Sequence, residues 1–290
     1  MNVGAFLITF REALEAAIIV AIIIAYLRRT NRAKQIKDVW IGIALSVGVS
    51  VLLGIGVLKF YGGLEETELF EGVASYLAVI VLTSMIYWMA TKGKDIKAEI
   101  ESKVSRSIAP LALIGFTFIV VFREGLETVL FLTPFMTQNL SGTLLGLFAG
   151  LAGALVLAYL IYGVGMRIDL RKFFYFSSIL LVFVAAGLAG YGTHELIEWA
   201  EEEGYSPGFL AGTAYDLGIP SESVWHHKGA IGSVFAVLFG YSVSMEWGRV
   251  LVQFGYLITA LYLVLRAYGK GPTLNREKKT AKSAVRFTHF

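Results

Sequence analysis

The sequence contains no cysteine and few charged residues, and both shortages narrow the kinds of protein that it can encode. Without cysteine there can be no disulfide, thiolate metal site, iron–sulfur cluster or cysteine-ligated haem. Charged residues make up 16% of the 290 residues, whereas hydrophobic residues make up 56%, above the usual share for a soluble domain. The N-terminal apolar run lacks the basic start of a cleaved signal peptide and carries charges of its own. This composition predicts a membrane protein.

Apolar runs long enough to cross a bilayer recur along the chain. They cover about residues 4–27, 39–61, 72–90, 109–135, 141–165, 173–197 and 246–268. The apolar stretch 229–243 is too short to cross comfortably, so we expect a re-entrant or interfacial helix there. The polar segment 92–107 is expected to be a solvated amphipathic connection. The sequence therefore predicts an all-α polytopic membrane protein with seven transmembrane helices.

The positions of the basic residues predict how these helices are oriented. Basic residues cluster after the first, third, fifth and seventh runs, and the other connections are acidic or neutral. The positive-inside rule then places the N-terminus outside and the C-terminus in the cytosol of a cell-membrane protein. Helices 1–3 and 4–6 are expected to form an inverted repeat, with halves at about 1–90 and 109–197. A single membrane domain would thus cover residues 1–268, followed by a basic, lipid-facing cytoplasmic tail at 269–290.

Two charged strings interrupt the first and fourth apolar runs. Residues 11–15 read REALE and residues 123–127 read REGLE. A charge at mid-bilayer costs about 2.5–3.5 kcal/mol, so six of them are tolerated only around an internal polar site. In each string the two glutamates lie three residues apart and share a helix face, with the arginine one turn from the second. Both strings are expected at the same depth, roughly 12 Å from the outer end of their helices.

The matching depth and shared faces predict that four carboxylates converge on one cation. The predicted ligands are the glutamates of the two strings: Glu12, Glu15, Glu124 and Glu127. Arg11 and Arg123 are expected to keep these buried carboxylates ionised. All-oxygen ligation selects hard cations such as Mg²⁺, Ca²⁺, Mn²⁺ or iron. The alternative is a pair of buried ion pairs that only lock the helices together.

Two further polar groups are expected on the outer side. Glu65, Glu66, Glu68 and Glu71 form an acidic turn that either attracts cations or is simply solvated, with Glu71 the strongest candidate. His194, Glu195 and Glu198 share one face at the end of the sixth run, where a helix end meeting water is the alternative. The string HELIE is similar to the zinc-protease pattern HExxH but lacks its second histidine, so an intramembrane hydrolase using His194 and Glu195 is the less favoured hypothesis.

The doubled Arg-Glu-x-x-Glu string resembles the signature of the oxidase-dependent iron permeases, which include fungal high-affinity iron permeases and bacterial iron-uptake permeases. Residues 69–72 (LFEG), 187–190 (GLAG), 194–196 (HEL), 215–217 (YDL) and 238–241 (LFGY) add to the resemblance, which covers the chain up to about residue 268. It implies a seven-span permease that carries iron across the cell membrane, with the carboxylates of both strings essential. It implies no cofactor, since iron is the substrate, and any oxidase or extracytoplasmic delivery protein would be a separate chain.

Several points stay open at this level. The same oxygen ligands would serve a permease for another metal, such as Mn²⁺ or Pb²⁺. The oxidation state of the iron, the coupling ion and the formation of a homo-oligomer are not decided by the sequence. No nucleic-acid partner is expected. We expect iron to be captured near Glu71 and Glu195, to pass to the four glutamates, and to leave into the cytosol.

Overall fold

The structure is a computed structural model that describes residues 2–64, 67–92, 96–107, 109–162, 170–226, 229 and 231–269. Two of the sequence-based predictions concern residues that the structure does not describe. Glu65 and Glu66 of the acidic turn lie outside the described residues, as does the basic tail from residue 270 onward.

The described chain is almost entirely helical. Its helices are α1 (Val3–Arg29), α2 (Ile36–Tyr61), α3 (Thr67–Lys92), α4 (Ile96–Arg106), α5 (Pro110–Gln138), α6 (Leu140–Tyr162), α7 (Leu170–Glu202), α8 (Gly232–Phe239) and α9 (Trp247–Gly269). Short 3₁₀ turns cover Ala33–Gln35 and Gly208–Ala211. Strands β1 (Thr213–Asp216) and β2 (Ser244–Glu246) form one antiparallel pair between α7 and α9.

Five of these helices, α2, α3, α6, α7 and α9, are long and apolar enough to cross a membrane. Helices α1 and α5 are also long, with 27 and 29 residues, but each carries the three charges of one string. Large apolar side chains such as Leu52, Phe148 and Ile258 are exposed on the helix surfaces, as expected where lipid is the solvent. The structure is therefore that of an all-helical, multi-pass membrane protein.

The two segments that were not expected to cross are both short. Helix α4 is amphipathic: Ile100 and Val104 pack against the end of α1, whereas Glu99 and Lys103 form an exposed ion pair of 2.7 Å. That ion pair lowers the pKa of Glu99. Helix α8 covers eight residues, about 12 Å of helix, which is too short to span a bilayer.

The long helices pack in a matched pattern. Helix α1 packs along α6, and α2 packs along α5. Helix α3 packs against α7, and α7 also packs against α9. Helices α1 and α5 run antiparallel, since Ile8 near the start of α1 shares a core cluster with Phe135 near the end of α5. At the other end Leu27 of α1 shares a cluster with Leu113 of α5.

The contacts of α6 with α1 resemble those of α2 with α5 in detail. A Cβ added to Gly146 would lie 2.5 Å from the carbonyl oxygen of Asn2, and one added to Gly42 would lie 2.8 Å from that of Ile114. Both helices therefore need glycine at the point of closest approach. Aromatic pairs also stack at corresponding positions before the two strings: Phe6 with Phe10 at 5.8 Å and Phe118 with Phe122 at 5.3 Å.

Candidate metal centre

The two charged strings meet where α1 crosses α5. Glu12 and Glu15 of α1 and Glu124 of α5 each offer a carboxylate oxygen, and these oxygens lie within 4.8 Å of one another. The three side chains are almost fully buried, with exposures of 1%, 3% and 2%. Three of the four predicted ligands therefore lie close enough to hold one ion. No ion is needed to bring the helices together, because apolar residues of α1 and α5 pack on both sides of the crossing.

The fourth predicted ligand, Glu127, lies at the rim of this carboxylate triad. Its side chain is 13% exposed, and its Oε1 lies 3.5 Å from Nε of Arg123. Glu127 is thus held beside the triad by the arginine of its own string.

The two arginines of the strings have different surroundings. Arg11 is 1% exposed; its Nη1 donates to Oε1 of Glu12 at 2.6 Å, and its Nη2 lies 3.4 Å from Glu15. The side chain of Arg123 is 45% exposed, and its Nη2 lies 2.8 Å from Glu124 and 3.8 Å from Glu15. Arg11 therefore forms its ion pairs with the glutamates of its own string, whereas Arg123 forms ion pairs with glutamates of both strings.

One oxygen of each glutamate in the strings is left without a hydrogen-bond donor among the described residues. These buried atoms are Oε2 of Glu12, Glu15, Glu124 and Glu127. A buried polar atom without a partner costs about 1–3 kcal/mol, and more when it is charged. Oε2 of Glu15 has an ion-pair contact of 3.4 Å with Nη2 of Arg11, so Oε2 of Glu12, Glu124 and Glu127 are the atoms that a cation would satisfy. The geometry and the ligand chemistry fit a hard metal ion.

A second cluster lies at the end of α7. One ligand atom each from His194, Glu195 and Glu198 lies within 4.8 Å of the others, as the sequence predicts. Nδ1 of His194 also lies 3.1 Å from Oε1 of Glu246. Sequence reasoning missed Glu246, because it reaches the cluster only through the pairing of β2 with β1, which has no local signal.

Glu71 is buried between two tyrosines that the sequence analysis also missed. The hydroxyl of Tyr61 donates to Oε1 of Glu71 at 2.7 Å, and the hydroxyl of Tyr191 donates to Oε2. The same hydroxyl is within reach of Glu195, one turn further along α7, although its one proton can serve only one of the two carboxylates at a time. Tyr191 thus connects Glu71 to the histidine cluster (His194, Glu195 and Glu198). Glu68, by contrast, is only half-buried and receives a hydrogen bond from Thr67 beside it.

A cavity of about 1140 Å³ opens onto the histidine cluster. Its wall includes Tyr191, Glu195 and Arg249, together with the first residues of α1 and the last residues of α5. The β-strand pair closes one side: Tyr215 of β1 donates its hydroxyl to the carbonyl oxygen of Ser242 at 3.2 Å. Burial raises the pKa of Tyr215 above its ordinary value, which is already well above neutral, so this donor is protonated at neutral pH. The cavity and the cluster together form a polar recess at one end of the bundle.

The family model described as the Iron permease FTR1 family matches residues 2–266, which include both strings, the histidine cluster and the cavity. The chain belongs to the iron permease FTR1 family. An uncharacterised protein of Archaeoglobus fulgidus is 48% identical over 270 residues, covering 92% of this chain and 96% of its own. The ferrous iron permease EfeU of Escherichia coli O157:H7 is 36% identical over 279 residues, covering 93% of this chain and 98% of its own. EfeU of Yersinia pestis is 34% identical over 269 residues, covering 89% and 91%. No solved structure matches the chain.

Membership of the FTR1 family bears on the alternatives left by the sequence. The family is one of permeases, and the two EfeU relatives are named as permeases and not as enzymes, so the hydrolase hypothesis for His194 and Glu195 is set aside. The resemblance seen in the two strings is confirmed by the match over nearly the whole chain.

Proposed function

We propose that the protein is an iron permease that moves iron across the cell membrane through the carboxylate site between α1 and α5. The observation that carries this proposal is the buried triad of Glu12, Glu15 and Glu124, drawn from two helices, whose carboxylate oxygens lie within 4.8 Å of one another. The relatives named ferrous iron permeases support Fe²⁺ as the transported form. Iron is then the substrate, and the proposal includes no cofactor.

The charge of the site also favours a divalent ion. With all groups ionised, four carboxylates and two guanidiniums leave two negative charges, which one divalent cation would neutralise. Oxygen ligands also suit other hard or divalent cations such as Mn²⁺, which remain competitors for the same site. Arg123 is half-exposed and Glu127 lies at the rim of the triad, which supports entry of the ion from the side of the triad on which these two residues lie.

We infer seven transmembrane helices, with α1 and α5 crossing in addition to the five more apolar helices. The matched glycine and phenylalanine contacts support an inverted repeat in which α1–α3 correspond to α5–α7. Helices α1 and α5 run in opposite directions, as the corresponding helices of an inverted repeat must. The distribution of basic residues supports an N-terminus outside and a C-terminus in the cytosol.

The path proposed for iron begins in the cavity at the outer end of α7. The histidine cluster and Glu71 would capture the ion there, and the triad would receive it next. The contacts of Tyr191 with Glu71 and Glu195 support one shared capture site. The cavity wall also includes the first residues of α1 and the last residues of α5, the two helices that carry the triad, which supports this order. An oxidase or a delivery protein, where one is used, would act as a separate chain at the cavity.

Uptake of radiolabelled iron into proteoliposomes tests the proposed function. We expect saturable uptake of Fe²⁺, with competition by Mn²⁺ and Pb²⁺ measured alongside, and we would supply Fe³⁺ and a pH gradient in parallel series. Glu15→Gln and Glu124→Gln keep the side-chain shape but remove an anionic ligand, so both should abolish uptake. Glu99→Gln is the matched control, because Glu99 is exposed on α4 and should leave uptake unchanged. Normal uptake by Glu15→Gln, or no iron uptake by the wild type, would overturn the proposal.

A further inference from the structure

Helix α3 contacts both arginines of the carboxylate site through two side chains one turn apart. The thioether sulfur of Met85 accepts a hydrogen bond from Nη1 of Arg11 at 2.8 Å. The guanidinium of Arg123 lies over the indole of Trp88, 5.4 Å from its centre. Residues three apart on a helix share a face, so α3 presents both side chains to the site at once.

We propose that Met85 and Trp88 are positioning residues that hold Arg11 and Arg123 in place for the carboxylate site. The proposal rests on the proposed function, since it names the residues that fix the geometry of that same site. Neither residue belongs to the charged strings, and neither supplies an anionic ligand. Their role is to fix the two cations, so that the glutamates keep an oxygen free for the transported ion.

Met85 suits the first of these tasks because it accepts a hydrogen bond without adding a charge. Arg11 is almost fully buried, and its Nε and Nη2 lack a hydrogen-bond acceptor among the described residues. Nη1 is the nitrogen with hydrogen bonds, to Glu12 at 2.6 Å and to Met85 at 2.8 Å, whereas Nη2 has only a longer ion-pair contact of 3.4 Å with Glu15. A carboxylate at position 85 would make the site more negative and compete for the ion. A thioether is a weak, neutral acceptor that does neither.

Trp88 holds an arginine that has more freedom to move. The side chain of Arg123 is 45% exposed, and it bridges the strings through Glu124 at 2.8 Å and Glu15 at 3.8 Å. A cation over an aromatic face is attracted to it, and tryptophan gives the strongest such contact. Without the indole, Arg123 can swing away from Glu15 towards solvent. The link between the two strings would then weaken.

Paired substitutions at each position separate positioning from simple packing. Met85→Leu keeps an apolar side chain of similar volume but removes the acceptor, whereas Met85→Gln restores an acceptor of similar length. If Met85 only fills space, leucine should be tolerated, and a buried glutamine without a partner should be harmful. If Met85 positions Arg11, the order is reversed. Trp88→Leu and Trp88→Phe make the same comparison, because phenylalanine keeps a weaker aromatic face.

The measurement is the KM and maximal rate of Fe²⁺ uptake in proteoliposomes. We expect Met85→Leu and Trp88→Leu to raise the KM about three- to tenfold with little change in maximal rate, the pattern of weakened binding. Met85→Gln and Trp88→Phe should return the KM towards the wild-type value. Met89→Leu, one turn further along α3 and equally buried, and Tyr87→Leu, which is exposed, are matched controls expected to behave as wild type. Wild-type kinetics in both leucine variants, or a worse Met85→Gln than Met85→Leu, would overturn the proposal.

A second measurement does not depend on transport. In detergent, Arg123→Gln should lower the Tm of the wild type more than it lowers the Tm of Trp88→Leu, since the contact is already lost there. Equal shifts in both backgrounds would overturn the positioning role of Trp88. A wild type that fails to take up iron would instead contradict the proposed function, while the Tm comparison would still decide whether Trp88 holds Arg123.

Discussion

Replacing Arg11 with alanine would leave buried Glu12 without its cation and would leave Glu15 only the more distant guanidinium of Arg123, at 3.8 Å. The guanidinium of Arg11 is 1% exposed and lies 2.6 Å from Glu12 and 3.4 Å from Glu15. Removing one partner of a buried ion pair costs about 3–5 kcal/mol, mainly because the remaining charge is uncompensated. We therefore expect Arg11→Ala to lower the Tm strongly and to abolish iron uptake. Arg11→Lys should recover only part of both, since lysine lacks the planar fork that reaches two carboxylates.

The assay is thermal unfolding in detergent, combined with iron uptake and quantified expression. Because Arg11→Ala could reduce the folded yield, the double variant Arg11→Ala/Glu12→Gln serves as a second measurement. It removes a charge from each side of the pair and should regain most of the lost stability, without regaining uptake. Arg29→Ala is the matched control: Arg29 pairs with Glu101 at 3.1 Å, but its side chain is 63% exposed. A surface pair of this kind contributes only about 0–1 kcal/mol.

Two outcomes would refute this reasoning. One is an Arg11→Ala protein as stable as Arg29→Ala, which would mean that the buried charges of α1 do not depend on one another. The other is a double variant no more stable than Arg11→Ala, which would mean that lost packing, and not an unpaired charge, causes the destabilisation.

Three further changes have distinct expected results. Arg123→Ala should cost less stability than Arg11→Ala, because the side chain of Arg123 is 45% exposed and its ion pairs are already partly screened by solvent; thermal unfolding measures this. Gly125→Ala should destabilise the protein, because the new Cβ would collide with Oγ of Ser50 and lie 2.8 Å from its Cβ, and Ser50→Gly should rescue it. Glu68→Gln should raise the KM for iron only at low ionic strength, whereas Glu15→Gln should abolish uptake at any salt, since exposed charges are screened and buried ligands are not.

Each of these changes has its own control or refuting result. For the arginine comparison, equal Tm losses would show that exposure does not moderate the cost. Gly115→Ala is the matched control for Gly125→Ala, because a Cβ at Gly115 meets open space. A Gly125→Ala protein as stable as Gly115→Ala would refute the steric argument. For the salt series, loss of uptake in Glu68→Gln together with normal uptake in Glu15→Gln would contradict a buried site.

The cost of burying charge explains what the sequence could predict about the site. Six charges in two apolar runs have to face an internal site, so the meeting of α1 with α5 followed from composition and spacing alone. The helix periodicity also predicted which glutamates share a face, and three of the four come together. The amphipathic segment at α4 and the short α8 followed from length and polarity.

Other features depend on contacts between distant parts of the chain. Glu246 reaches His194 only because β1 and β2 pair, and no local pattern in their few residues predicts that pairing. Tyr61 and Tyr191 enclose Glu71 from two other helices, which spacing along one helix cannot reveal. The two strings are almost identical in sequence, yet Arg11 is buried and Arg123 is half exposed. Because the strings themselves are so alike, that difference comes from the side chains packed around each of them.

The most direct test of the carboxylate site is an anomalous difference map, recorded at the iron absorption edge, from crystals of the protein loaded with Fe²⁺. We expect a peak between α1 and α5, within coordination distance of Glu12, Glu15 and Glu124, and we expect it to disappear in Glu15→Gln. Iron bound only at the histidine cluster, with no peak between the two strings, would contradict the proposal that these strings form the transport site.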